Sequence, residues 1–118
     1  RTAFQVRADI LYEKGYGATI NEKNWAQFVK TVAQKELGEQ STPEIEPSLA
    51  SEDFSYYLKK IPGAFFWLGT RDPQQTQKPL HDARFTLDEN ALPIGTKFII
   101  QLVRAASKRL KKVGLSND

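Results

Sequence analysis

The sequence predicts an α/β fold. Residues 6–13 alternate apolar and polar side chains, as a half-buried strand does, and residues 64–68 (AFFWL) are apolar throughout, as in a strand covered on both faces. Two further segments, residues 22–37 and residues from about 91 onward, carry apolar side chains at helical spacing. A length of 118 residues with 40% hydrophobic residues corresponds to one domain with a core of its own.

The first half of the chain contains the alternating strand, a helix and a loop. The strand at residues 6–13 has no neighbour in sequence that could pair with it, so we expect another segment or another chain to do so. Asn21 is predicted to cap the helix of residues 22–37, and Gly38 to end it. Residues 39–49 are polar, contain two prolines and are predicted to form a loop.

The second half is predicted to contain a short helix, a buried strand, a long loop and a long helix. Ser51 is a suitable cap for the short helix, which Pro62 and Gly63 should end before the strand at residues 64–68. Residues 70–90 form a mostly polar loop, and a loop of that length in a compact domain is usually functional or mobile. The last helix should start near Ala91.

The long loop carries His81, the only histidine of the chain. An imidazole can bind a metal or move a proton near neutral pH, so this is where we expect chemistry. Glu52 and Asp53 are candidate polar partners, although acids in a first helical turn also stabilise the positive helix end. A lone histidine is more often a surface or packing residue than a ligand, and that alternative remains open from the residues alone.

Composition excludes several classes of function. The chain has no cysteine, so it has neither a disulfide nor a thiolate metal site, and no apolar run approaches membrane length. The net charge of +3 is small for a nucleic-acid-binding protein. A basic cluster lies near the C-terminus and consists of Lys108, Arg109, Lys111 and Lys112. Because the chain starts at Arg1 and contains no methionine, we expect the native N-terminus to lie upstream.

Several motifs, in order and at consistent spacing, resemble the C-terminal portion of the M20 metallopeptidase family. They are SEDFSYY at residues 51–57, PGAFF at 62–66, LG at 68–69, PLH at 79–81, Phe85, DE at 88–89 and ALPIG at 91–95. The similarity extends over nearly the whole chain and is strongest to the N-acyl-amino-acid amidohydrolases, which include hippurate hydrolases, aminoacylases and auxin-conjugate hydrolases.

The resemblance implies an architecture. Residues 1–20 would end an inserted α+β lid domain, with residues 6–13 as its last strand. Residues 21–118 would be the C-terminal half of a zinc-peptidase-like α/β catalytic domain. The lid domain of the family often carries the dimer contact, so a homodimer of the parent protein is expected. The strand mates of residues 6–13 would then precede Arg1.

The resemblance also implies a chemistry. Family enzymes hold two divalent ions, zinc or manganese, and cleave the amide bond of N-acyl amino acids or small peptides with metal-activated water. Only His81 matches a ligand position of the family, and Glu52 and Asp53 would orient a ligand or meet substrate. The chain alone should therefore be inactive. We expect a cytoplasmic enzyme that binds neither nucleic acid nor membranes; the alternative is a non-catalytic interaction or assembly module with a basic C-terminal helix.

Overall fold

The computed structural model describes residues 7–114, and within them the regular structure is helical. Helix α1 is Lys23–Leu37, a 3₁₀ turn is Glu39–Ser41, helix α2 is Ser55–Leu58 and helix α3 is Ala91–Gly114. Helices α1 and α3 pack against each other, and α1 also contacts the 3₁₀ turn. The remaining described residues form turns and segments without helix or strand.

Helix α1 forms where the apolar periodicity predicts it, and it ends at Gly38 with a φ of 98°, a conformation that glycine adopts without strain. Its cap differs from the prediction. The carboxylate of Glu22, rather than the side chain of Asn21, accepts hydrogen bonds from the backbone N–H groups of Asn24 and Trp25, at 3.0 and 2.9 Å. An acidic group at this end of a helix satisfies free N–H groups and interacts favourably with the helix dipole.

Helix α2 is shorter than predicted and starts later. It begins at Ser55, four residues beyond the predicted cap at Ser51, and consists of a single turn. The carboxylate of Glu52 accepts a hydrogen bond from the N–H of Phe54 at 3.2 Å, so the residues before the helix form a turn of their own. The N–H groups of Ser55 and Tyr56 donate to the carbonyls of Glu52 and Asp53, so these turns lead directly into the helix.

Helix α3 and α1 enclose the small core. The residues at its centre are Val32, Ala33 and Phe98, with Phe28, Val29, Leu102 and Ala105 packed around them. Helix α3 starts at Ala91, as predicted, after the side chain of Asp88 accepts a hydrogen bond from the N–H of Asn90 at 2.9 Å. The ring of Phe66 meets that of Phe98 edge-on at 5.3 Å, which brings the extended segment onto the helix pair.

The predicted strands do not form within residues 7–114. Residues 64–68 are extended but pair with no strand, and the exposed fractions of Phe66 and Trp67 are 36% and 47%. Residues 7–13 are also unpaired and exposed, while Val6 lies outside the described residues. The predictions of an interior strand and of a half-buried strand are therefore not confirmed within residues 7–114, where neither segment has the hydrogen-bonding neighbour that a stable strand needs.

The chain leaves much of its apolar surface uncovered. Its accessible surface is 10849 Å², against about 6500 Å² for a compact monomer of this size. Its radius of gyration is 20.0 Å, where about 13.5 Å is usual for this length. The helix pair is therefore the only packed core among the described residues, and the His81 loop lies outside that core.

Candidate functional site

The loop that carries His81 is closed by hydrogen bonds at its base and across its middle. The N–H of Asp88 donates to the carbonyl of Thr70 at 2.9 Å, which joins the two ends of the loop. Across the loop, the hydroxyl of Thr86 donates to the side-chain oxygen of Gln75 at 3.1 Å. These contacts give an otherwise polar and exposed segment a defined path.

His81 lies at the third position of a β-turn and is exposed. The N–H of Asp82 donates to the carbonyl of Pro79 at 3.2 Å and closes the turn. The φ of His81 is 71°, and within residues 7–114 no other non-glycine residue has a positive φ. The type II turn requires a positive φ at this position and usually has glycine there, so a histidine is held in a conformation that costs free energy.

The residue after the histidine forms an ion pair with Arg84. The guanidinium donates from Nε to one carboxylate oxygen of Asp82 at 3.1 Å and from an Nη to the other at 3.0 Å. The backbone N–H of Arg84 donates to the same carboxylate at 2.8 Å. These hydrogen bonds hold the pKa of Asp82 below its usual value, and they raise the pKa of Arg84.

The two candidate acids lie before α2. Glu52 is half-buried: its carboxylate binds the N–H of Phe54, and its carbonyl accepts a hydrogen bond from the hydroxyl of Thr19 at 3.3 Å. Asp53 is exposed, and its carboxylate has no hydrogen-bond partner among residues 7–114. Glu52 therefore has a structural role in the turn, whereas the carboxylate of Asp53 is free to bind something else.

The structure does not gather the candidate residues into a metal centre. In the described part of the chain, no three histidine, aspartate or glutamate side chains lie close enough together to hold an ion. His81, Glu52 and Asp53 thus do not form one cluster. The exposed imidazole of His81, which has no hydrogen-bond partner among these residues, fits one coordination position and no more. A metal centre that included His81 would need further ligands from outside residues 7–114.

Comparison with known proteins identifies the family. The family model for peptidase family M20/M25/M40 matches residues 5–105, which is most of the chain. This chain belongs to that family. Its members are generally metal-dependent, so a free imidazole on the closed loop is consistent with the family's chemistry.

Three relatives show the range of names in the M20 family. N-acetyldiaminopimelate deacetylase of Streptococcus sanguinis is 37% identical over 98 residues, which cover 82% of this chain and 25% of the relative. An IAA-amino acid hydrolase of Arabidopsis thaliana is 30% identical over 105 residues, covering 80% and 23%. A protein of Rhodococcus jostii that carries the name of a glutamate–cysteine ligase is 31% identical over 101 residues, covering 86% and 13%. The chain thus spans a quarter or less of these relatives.

The basic cluster of this M20 chain is partly used for packing. The guanidinium of Arg109 lies over the rings of Trp25 and Phe28, at 5.1 and 4.9 Å from their centres. This cation–π contact joins α3 to α1, so one of the four cations has an internal role. Among residues 7–114, no helix has the length and apolar composition needed to cross a membrane.

Sequence reasoning missed two polar contacts of the M20 chain. The side chain of Asn21, interpreted as a helix cap, bonds instead to the backbone of Phe65 in the extended segment. The second contact is the ion pair between Asp82 and Arg84. The sequence signal for this turn is an Asp two residues before an Arg, a spacing that allows the Asp side chain to accept from the Arg N–H. The signal is weak, because many exposed Asp-x-Arg sequences form no such turn.

Proposed function

We propose that this chain is the C-terminal part of a longer, metal-dependent amidohydrolase that cleaves the amide bond of N-acyl amino acids or small peptides. The observation that carries the proposal is the family match over residues 5–105. Relatives named N-acetyldiaminopimelate deacetylase and IAA-amino acid hydrolase support the substrate class. Both names describe a hydrolytic reaction on a conjugated amino compound, as an amide-cleaving enzyme would perform.

In the proposed architecture, residues 21–118 complete an α/β catalytic domain, and residues 1–20 end a lid domain through which the parent forms a homodimer. Residues 64–68 are then an interior strand whose neighbours lie outside this chain. Their extended backbone, with half-exposed Phe66 and Trp67, supports this reading, because an apolar strand without neighbours has to leave its side chains uncovered. The large accessible surface of the chain agrees with it.

In the whole protein, we expect His81 to bind one of two divalent ions, zinc or manganese, through a neutral ring nitrogen. A divalent ion in such a site polarises the amide carbonyl and activates water for attack. The role of the chain itself is to present the imidazole. Neither ring nitrogen has a hydrogen-bond partner within residues 7–114, and the turn at residues 79–82 fixes the direction of the Cα–Cβ bond. In the complete site, the second ring nitrogen should donate to a carboxylate or carbonyl that fixes the tautomer.

Of the two acids, Asp53 is the stronger candidate for contact with substrate or with a ligand. Its carboxylate is exposed and has no hydrogen-bond partner within residues 7–114, whereas one carboxylate oxygen of Glu52 binds the N–H of Phe54. Glu52 would then act indirectly, by holding the turn from which Asp53 projects.

The test uses the full-length protein with and without His81→Ala. The variant should lose bound zinc or manganese, and its hydrolysis of N-acetyl or N-benzoyl amino acids should fall by orders of magnitude, with little loss of fold, because an exposed loop residue contributes little packing. Gln74→Ala, an exposed substitution in the same loop, serves as the control. Normal metal content and activity in His81→Ala would overturn the proposal, as would turnover by the pure 118-residue chain.

A further inference from the structure

His81 is held in a backbone conformation that a residue other than glycine rarely adopts, with a φ of 71°. Such a conformation persists only where the surroundings hold it, and it occurs preferentially at functional sites. The contacts that hold it therefore decide where the imidazole points. The residues on either side of His81 show which contacts these are.

Asp82 belongs to two successive turns. Its N–H donates to the carbonyl of Pro79 and closes the turn that contains His81, while its carbonyl accepts from the N–H of Phe85 at 2.9 Å and closes the next turn. Its carboxylate binds both the backbone N–H and the guanidinium of Arg84. Both backbone groups and both carboxylate oxygens of Asp82 are thus engaged, which leaves its conformation little freedom.

We infer that Asp82 is a positioning residue for His81: by joining the two turns and binding Arg84, it keeps the histidine backbone in the left-handed conformation and so fixes the direction of the imidazole. This role rests on the proposed function of His81 as a metal ligand. Asp82 acts through the backbone, because its carboxylate oxygens are occupied by Arg84 and are not free to bind an ion.

The geometry of the pair suits this role. The side chain of Asp82 is only 21% exposed, whereas that of Arg84 is 73% exposed. Two parallel N–H···O bonds between a guanidinium and a carboxylate fix orientation as well as distance.

The same loop offers a matched control. The carboxylate of Asp72 accepts from the backbone N–H of Gln74 and from the side chain of Gln75, both at 2.8 Å. This is the same kind of turn, made by the same residue type in the same loop, but within the described residues Asp72 has no hydrogen bond to residues 79–85. Asp72→Ala tests whether the loss of any Asp turn in this loop changes the conformation of His81. Asp82→Ala tests whether the turn next to His81 is the one that holds it.

The first experiment measures backbone order by ¹⁵N relaxation in the full 118-residue chain. We expect an amide order parameter for His81 of about 0.85 in wild type and in Asp72→Ala, falling below about 0.6 in Asp82→Ala. Asp82→Asn keeps one oxygen for the N–H of Arg84 and should lie between them, and it replaces the alanine variant if that one fails to fold. An unchanged order parameter in Asp82→Ala, or an equal loss in Asp72→Ala, would overturn the inference.

The second experiment measures zinc affinity in the full-length protein and separates this inference from the proposed function. Zinc binding should weaken about tenfold or more in Asp82→Ala and stay unchanged in Asp72→Ala, as for other residues that orient a metal ligand. If His81→Ala leaves zinc binding intact, the proposed function fails, whatever the relaxation data show. If His81→Ala abolishes zinc binding and Asp82→Ala does not weaken it, the positioning role alone is wrong.

Discussion

The side-chain amide of Asn21 pairs with the backbone of Phe65 as a neighbouring strand would. Its oxygen accepts from the N–H of Phe65 at 2.7 Å, and its nitrogen donates to the carbonyl of the same residue at 2.8 Å. One residue further, the N–H of Glu22 donates to the carbonyl of Gly63 at 2.9 Å. The start of α1 is therefore tied to residues 63–65 by the side chain of Asn21 and by one backbone hydrogen bond, in place of a strand partner.

The first prediction concerns this pair. Asn21→Ala removes both hydrogen bonds to Phe65 and should lower the free energy of unfolding by about 1 kcal/mol, since water replaces part of the loss at an exposed position. The amide of Phe65 should exchange with solvent faster in this variant. Asn21→Asp keeps the acceptor for that amide and should retain most of its protection. Equal exchange rates in wild type and Asn21→Ala would show that the pair does not protect the segment.

The second prediction concerns the contact between α3 and α1. Arg109→Ala removes a guanidinium that lies over Trp25 and Phe28, and it should lower the free energy of unfolding by about 1 kcal/mol. Urea denaturation followed by circular dichroism measures the effect. Arg104→Ala is the control, because Arg104 lies on the same helix, is exposed and has no contact of this kind within residues 7–114. Equal losses in both variants would mean that helix charge, and not ring stacking, is responsible.

The third prediction tests the strain at His81. The substitutions His81→Gly and His81→Ala both remove the imidazole, but only glycine adopts a φ of 71° without steric cost. His81→Gly should therefore be more stable to urea than His81→Ala, by about 1 kcal/mol. The reverse order would indicate that the residue does not adopt the left-handed conformation in solution. Because both variants lack the imidazole, loss of a bound metal cannot explain a difference between them.

The fourth prediction is a pH dependence at the start of α1. The N–H groups of Asn24 and Trp25 donate to the carboxylate of Glu22 and hold its pKa below the usual value. A depressed pKa means that the carboxylate stabilises the fold above its unfolded pKa of about 4.3, and that this contribution is lost as the pH falls through the folded pKa.

Urea titrations of wild type and Glu22→Gln test this expectation. The stability difference should be largest at neutral pH and should disappear near about pH 2, where both forms are uncharged. Glu36→Gln is the control, because Glu36 lies near the other end of α1, is exposed and has no hydrogen bond to its carboxylate among the described residues. A difference that does not change with pH would show that the carboxylate of Glu22 is not the group responsible.

The helices could be predicted because the information that forms them is local. The apolar periodicity of residues 22–37 places α1 within one residue of its observed start, and Gly38 marks its end. Helix α3 begins at Ala91, with Pro93 in its first turn, as expected. The predicted start of α2 was wrong. The N–H of Phe54 donates to the carboxylate of Glu52 in a turn before the helix, and the sequence alone does not distinguish such a turn from a helix cap.

The candidate site was predicted only at the level of residue type. His81 is identifiable because it is the one histidine of the chain, lies in a long polar loop and belongs to a PLH motif that resembles the M20 family. Its role as a metal ligand stays a prediction. The left-handed turn and the Asp82–Arg84 pair were not predictable, because short polar segments adopt many turns of similar free energy. Their selection depends on several hydrogen bonds that form together.

Helix positions, family membership and the histidine follow from residues that are close together in the chain or from motifs that can be read in order. The strand partner of residues 64–68 cannot be predicted in this way, because strand pairing depends on backbone groups that are distant in sequence. Asn21 and Phe65 are 44 residues apart, and their contact became visible only in three dimensions. A helix forms its hydrogen bonds within its own segment, whereas an extended segment needs a partner, and the apolar run of residues 64–68 cannot specify which partner that is.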